Sequence, residues 1–269
     1  ERRPRTINMS TIGDALLDTT APVQAIVVYN SNPVAVAPES AKVARGFARE
    51  DLFPVVLEHF RPDTADHADY VLPATTQLEH WDIHTTYGHT DVLLNQPAIA
   101  PLGQARSNAQ IFRDLAAHMA RLDPAFAAPH FHDSDEDLCR QAMEGSLVDF
   151  HTLLQHGFVQ QALPDAPFAQ GGFLTPSGKC EFYSSALEKL DVNPVPDYLP
   201  NYEVPSDRHP LAMNSPPARN FMNSTFANIS TLRRLETRPS LEMHPVDAAA
   251  RGIADGDVVR VFNARGEHL

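Results

Sequence analysis

The chain has 269 residues, 43% apolar and 20% charged, with a formal net charge of −13. That length supports a large core and two domains. The acidic balance argues against a nucleic-acid or anionic-membrane surface, and no apolar run is long enough to insert in a bilayer.

In chain order, Glu1–Pro22 reads as a basic, polar lead-in. Ala25–Tyr29 is a short β-rich apolar run, expected as a buried parallel strand. Pro38–Glu50 has helical spacing with Val43 and Phe47 on one face, and Phe53–Leu57 is the next strand. Ala68–Pro73 is a third strand, stopped by Pro73. Strand–helix–strand order implies a right-handed parallel unit. Leu78–Pro101 reads as loop and holds His80, His84 and His89, which form no HExxH unit and so make a poor zinc site.

Ser107–Gln110 opens a helix running to about Arg121, with Ile111, Leu115 and Met119 on one stripe. A second helix spans Ser134–Met143, with Ser134 as cap. Pro194, Pro196, Pro200 and Pro205 make Asp191–His209 an interdomain linker. Short strands are expected at His209–Met213 and Leu241–Met243. Pro245 and Asp247 start a short helix that Gly252 ends. Val258–Phe262 is the last strand, and Asn263–Gly266 begins a hairpin. The two cysteines, Cys139 and Cys180, form no CxxC pair and are read as buried thiols in a reducing compartment.

Chemistry concentrates where the first two strands stop. Ligands of open α/β sheets bind past the carboxyl ends of the strands. There the chain places Asn30, Ser31 and Asn32 after the first run and Glu58 after the second, preceded by Leu57. Glu58 reads either as a solvated strand-end acid or as an acceptor for a guanine edge. Asn30 and Asn32 read either as turn residues or as donors to phosphate and ribose oxygens. Further on, Asn214–Asn228 packs Ser215, Arg219, Asn223 and other donors beside Pro216 and Pro217. It is either a polar surface loop or an anion-binding one.

Four pieces in this order resemble the molybdopterin oxidoreductases of the dimethyl sulfoxide reductase type: Asn30-Ser-Asn-Pro33, Thr64–Ala74 with Glu79, Gly103–Asn108, and Pro239–Val261. The resemblance implies an α/β fold, with a Rossmann-like layered domain over residues 1–205 and a partial double-psi-type β-barrel, the dinucleotide-binding domain, over 206–269. It implies a bis(molybdopterin guanine dinucleotide) cofactor with Mo or W, and oxygen-atom or two-electron transfer on a small-molecule substrate served by a redox partner protein.

Carried over by position, Asn32 lies in a loop that contacts one dinucleotide, and Leu57 and Glu58 occupy the guanosine-recognition pair. Asn108 stands where many members have Asp, and His80 where some have Lys. Asn214, Ser215, Pro216, Arg219, Asn220, Phe221, Met222 and Asn223 match the loop that wraps pterin and phosphates. No residue is expected to be a metal ligand or catalytic acid or base. The family's metal-ligating side chain, and an iron–sulfur segment where members carry one, would lie upstream of Glu1.

Both ends read as cuts through a longer protein, so the chain is expected to be inactive alone. The location is expected to be cytoplasmic, with a periplasmic one left open. Two rivals remain: a non-catalytic scaffold subunit of the same fold, and an unrelated nucleotide-binding module.

Overall fold

The computed structural model describes residues 4–126, 131–201 and 204–268. The chain divides into two compact units, residues 1–161 with 217–243, and residues 162–216 with 244–269.

The first unit opens on a 3-10 turn, Met9–Thr11, leading into helix α1 (Ile12–Leu17). The lead-in is thus not wholly polar coil. Ile12 and Leu16 share a helical face, and Leu16 is buried in the core. Strand β1 (Ala25–Tyr29) runs into α2 (Pro33–Val36), which has proline at its first position, and then α3 (Ser40–Phe47). Strands β2 (Phe53–Glu58) and β3 (Tyr70–Pro73) follow, joined by a 3-10 turn at Asp63–His67.

The three strands form a parallel sheet in the order β1-β2-β3. Tyr29 pairs with Leu57, and Glu58 with Pro73, so the carboxyl ends align. One face packs on α1 and α3 through Leu16, Val28, Val43, Phe47 and Val56. Gly46 lets α1 approach α3: a Cβ there would meet the Leu16 Cβ at 2.6 Å.

The stretch expected as loop from Leu78 to Pro101 instead contains β4 (Asp82–His84) and β5 (Asp91–Asn95). With β6 (Phe158–Gln160) they make an antiparallel sheet in the order β4-β5-β6. Alternation decides it: Val92 and Leu94 are buried on one face. Helix α4 (Asn108–Leu122) is capped by the Ser107 hydroxyl, and α5 (Asp135–Ala142) by a Ser134–Asp137 capping box. Helix α6 (Phe150–His156) ends on Gly157 at φ 76°. Val92, Leu94, Cys139, Met143, Phe150 and Leu153 form a second core. The expected stripe on α4 is not its packed face. Leu115 and Met119 are exposed, whereas Ala116 is buried and Phe112 meets Tyr29 edge-on at 5.5 Å.

In the second unit, α7 (Ser185–Glu188) is a single turn. The first unit's 217–243 segment carries α8 (Ser230–Glu236). After it come α9 (Pro245–Ala249) and the antiparallel pair β7 (Val261–Phe262) and β8 (Glu267–His268). Gly252 follows α9 at φ 67°, as its position suggested. His209–Met213 and Leu241–Met243 are not strands, and Val258–Phe262 is one only at its last two residues. A strand exists only where a partner takes its ladder hydrogen bonds, and these segments have none among the described residues. Cys139 is buried, and burial, with nearby Asp82, Asp135 and Glu136, pushes its thiol up to about 11. Cys180 is exposed, contrary to the expectation.

Candidate functional site: the carboxyl edge of the parallel sheet

Asn30, Glu58 and Thr75 follow or end the three parallel strands, and Arg106–Asn108, the loop before α4 and its first residue, joins them. Arg106 N–H donates to Pro73 C=O at 3.1 Å, and Thr75 N–H donates to Arg106 C=O at 3.1 Å. The loop thereby extends the sheet edge and sets the start of α4 beside β1. There Asn108 Nδ2 donates to Asn30 Oδ1 at 3.0 Å. Asn30 is in the left-handed region, φ 53°, where asparagine is among the better-tolerated residues. Asn108 Oδ1 is buried and has no hydrogen-bond partner. Buried acceptors are rarely left so.

Asn32 sits on the same edge but is spent internally. Its Oδ1 accepts from Thr64 N–H at 3.1 Å and from the Thr64 hydroxyl at 2.7 Å, while its Nδ2 donates to Asp63 at 3.2 Å. Its carbonyl also accepts the Ala35 and Val36 N–H groups of α2, at 3.1 Å each. Asn32 therefore fixes the loop that presents Asn30. Leu57 is 2% exposed, so its side chain belongs to the core.

Glu58 Oε1 accepts the His59 N–H at 2.7 Å, leaving Oε2 open. His59 Nε2 lies 2.7 Å from Thr75 C=O. The Thr75 hydroxyl in turn meets His80 Nδ1 at 2.9 Å. His80 is therefore tied to the same edge, beside the strand ends. His84 ends β4 and His89 lies in the connection before β5, and no metal-binding cluster of histidine, cysteine or acid occurs among the described residues.

Glu79, a motif residue that the sequence does not single out for the site, also stands near this edge. It is 7% exposed and takes three donors: Thr76 N–H at 2.7 Å, the Thr76 hydroxyl at 2.9 Å and Leu102 N–H at 2.6 Å. Those bonds, the Thr76 backbone first, hold its carboxyl below the ordinary carboxylate range. The Thr76-x-x-Glu79 spacing, that of a capping box, was the readable signal. Two hollows of about 270 and 350 Å³ lie by Arg49 at the opposite, amino-terminal edge, away from these groups.

The second set of candidate residues falls in both units, and each part stands by itself. Asn214, Ser215 and Pro216 are exposed irregular chain of the second unit. In the first unit, Arg219 is exposed, Asn220 and Phe221 are half-buried, and Met222 and Asn223 are exposed. Asn220 N–H donates to Glu236 of α8 at 2.5 Å. Met222 and Thr225 exchange backbone hydrogen bonds of 3.1 and 2.9 Å around Asn223 at φ 52°. This stretch is a built turn, and Glu236 is a support that the sequence did not reveal.

Two family models match this chain. Molybdopterin oxidoreductase covers residues 11–118, which contain the whole sheet-edge group, and Molydopterin dinucleotide binding domain covers residues 211–269, which contain Asn214–Asn223. The chain belongs to the molybdopterin oxidoreductase family. Within it, the chain is 40% identical to the probable oxidoreductase YoaE of Bacillus subtilis (strain 168), over 99% of this chain and 39% of that protein. It is 33% identical to the dimethyl sulfoxide/trimethylamine N-oxide reductase of Rhodobacter capsulatus, over 77% of this chain and 28% of that protein. Among solved structures it is similar to the acetylene hydratase from Pelobacter acetylenicus. The TM-score is 0.71 and the identity 24%, over 93% of this chain and 35% of that one. That likeness shows an α/β fold. The chain thus spans well under half the length of these relatives. No helix among the described residues is long and apolar enough to cross a membrane.

Proposed function

We propose that this chain supplies part of the wall that holds a bis(molybdopterin guanine dinucleotide) cofactor in a Mo or W oxidoreductase acting on a small molecule. The observation that carries the reading is the convergence of Asn30, Glu58 and Asn108 at one parallel sheet edge, with the Asn108 acceptor buried and unpaired. A carboxylate with an open oxygen, a left-handed asparagine and an unfilled acceptor suit a ligand rich in N–H and O–H donors, which a guanine dinucleotide is. The family match adds the ligand class.

In this reading Glu58 accepts from the guanine edge, with the Leu57 backbone beside it. Asn108 Oδ1 accepts from a ribose hydroxyl and the Asn30 amide donates to ribose or phosphate oxygens, Asn32 fixes their loop, and His80 completes the edge through Thr75. Asn214, Ser215, Pro216, Arg219, Asn220, Phe221, Met222 and Asn223 wrap pterin and phosphates. Residues 1–205 form a Rossmann-like layered domain and 206–269 part of a double-psi-type barrel. When bound, the metal supplies oxygen-atom or two-electron transfer, and the residues named here bind and orient the group that carries it. Electrons pass to a redox partner protein. The unpaired Cys139 and Cys180 favour a cytoplasmic setting.

The test is Glu58→Gln in the full-length parent. The amide turns a donor toward a donor edge, at a cost of about 1.5–3 kcal/mol. Pterin content should fall while the protein stays folded. Unchanged pterin content would remove Glu58 from the site.

A further inference from the structure

His59 follows Glu58 directly and makes two contacts at once. Its Nε2 lies 2.7 Å from Thr75 C=O, and its Nδ1 lies 3.7 Å from Glu58 Oε1. We propose that His59 is a positioning residue that gates Glu58. The neutral ring leaves both carboxylate oxygens open to a guanine edge, and the protonated ring fills one of them. The proposal rests on the guanine reading of Glu58 given above.

The tautomer follows from the partner. A carbonyl oxygen only accepts, so the ring must carry its proton on Nε2 to bond Thr75. In the neutral ring Nδ1 is then bare, and it faces another acceptor at a distance too long for a hydrogen bond. A carboxylate offers about four acceptor positions, two on each oxygen. Glu58 Oε1 has already taken the His59 backbone N–H at 2.7 Å. One position on Oε1 and two on Oε2 are left, enough for guanine to bond one N–H to each oxygen.

Protonation places a second N–H at Nδ1, facing Oε1. A small tilt of the ring brings it into bonding range and fills the last position on that oxygen. The guanine contact then drops from two hydrogen bonds to one.

The ring is not free to turn away from this choice. Thr75 is 3% exposed, and its hydroxyl is held by His80 Nδ1 at 2.9 Å. Phe60 stands edge-on to the imidazole at 6.5 Å. The charged groups facing the ring are Glu58 on its own strand and Glu79 from the turn after β3, whose carboxyl senses the ring's charge. His80 stands across Thr75. A second N–H on the ring would therefore face a carboxylate acceptor rather than another donor.

The experiment is a guanosine 5′-diphosphate titration of the full 269-residue chain at about pH 8 and about pH 5.5, on either side of the ordinary histidine value of about 6.5. Adenosine 5′-diphosphate serves as control, and His59→Gln is measured beside the unmodified chain. The glutamine amide still donates to Thr75 but takes no proton. The unmodified chain should bind the guanine nucleotide about tenfold more weakly at the lower pH, the factor that one lost charge-assisted hydrogen bond produces. His59→Gln should bind it equally at both.

A pH difference that survives in His59→Gln, or none in the unmodified chain, overturns the gate and leaves the guanine reading standing. No preference for the guanine nucleotide at about pH 8 overturns the guanine reading and the gate with it. Ring nitrogen signals of the unmodified chain decide the matter where the variant does not fold. A proton on Nε2 alone at the higher pH and on both nitrogens at the lower supports the gate, and a proton on Nδ1 at the higher pH overturns it.

Discussion

Asn108, the first residue of α4, donates its amide to the Asn30 side chain at 3.0 Å across 78 positions of sequence, while its own Oδ1 stays buried and unpaired. The bond joins the end of β1 to the start of a helix that follows all three parallel strands. It also sets the direction of Asn108: one N–H of its amide is taken by Asn30, and its oxygen accepts from no protein donor.

Asn108→Ala should therefore act with opposite weight in the two states. In the ligand-free chain it removes one hydrogen bond, worth about 1 kcal/mol, and also one unsatisfied acceptor, which costs about 1–3 kcal/mol. Thermal unfolding should shift by no more than about 1 kcal/mol in either direction. In the cofactor-loaded parent the same change should lower dinucleotide retention by about tenfold. A large loss of stability in the ligand-free chain would show that the Asn108 oxygen has a partner after all.

Glu79 should set part of the acid limb of stability. Its folded carboxyl is held below its unfolded value, chiefly by the Thr76 N–H and hydroxyl and the Leu102 N–H. A depressed folded value adds stability that is present above the unfolded value of about 4.3 and lost as pH falls through the folded one. Glu79→Gln should unfold at a lower temperature near neutral pH, and the two melting curves should converge below about pH 4. Parallel curves from pH 7 to pH 3 would contradict this.

Much of the first unit was legible because its signals are local and periodic. Ala25–Tyr29, the strand expected over Phe53–Leu57, the helix opening at Ser107 and the Ser134 cap stand where expected, since apolar runs and cap residues act through neighbours in sequence. β6 and the pairing of β4 with β5 were not legible. β4 and β6 have three residues each, too few to carry a pattern, and β6 pairs with a strand more than sixty residues earlier. For the site, the strand-end positions of Asn30 and Glu58 were readable. What Asn32 spends its amide on was not, because Thr64 lies 32 residues away. The same holds for His59, whose role depends on Thr75.

Arg113 joins α4 to α5. It pairs with Asp135 at 2.5 Å and donates to Asp133 C=O at 2.8 Å, with both side chains of the pair more than four-fifths buried. Removing one partner of such a pair strands the other charge, at a cost of about 3 kcal/mol. Arg113→Ala should lower the denaturant midpoint accordingly. Arg113→Ala with Asp135→Ala should recover part of the loss, as a double-mutant cycle will show.

The last prediction concerns the 214–228 segment. No residue of the second unit is buried among those described, and Asn214–Pro216 is exposed throughout. Backbone amides without buried contacts open at little cost and exchange fast. Within 217–228, the exchanged bonds between Met222 and Thr225 and the Asn220–Glu236 bond give local protection only. If this segment wraps pterin and phosphates, the cofactor must supply the missing partners for its N–H groups. Hydrogen exchange on matched loaded and cofactor-free samples of the full-length parent reads this directly. Protection should rise across Asn214–Asn223 in the loaded protein and change least at Met222, whose amide already bonds Thr225. Equal exchange in both samples would take the loop out of the binding wall and favour the scaffold reading, in which Glu58 and this polar stretch hold no ligand.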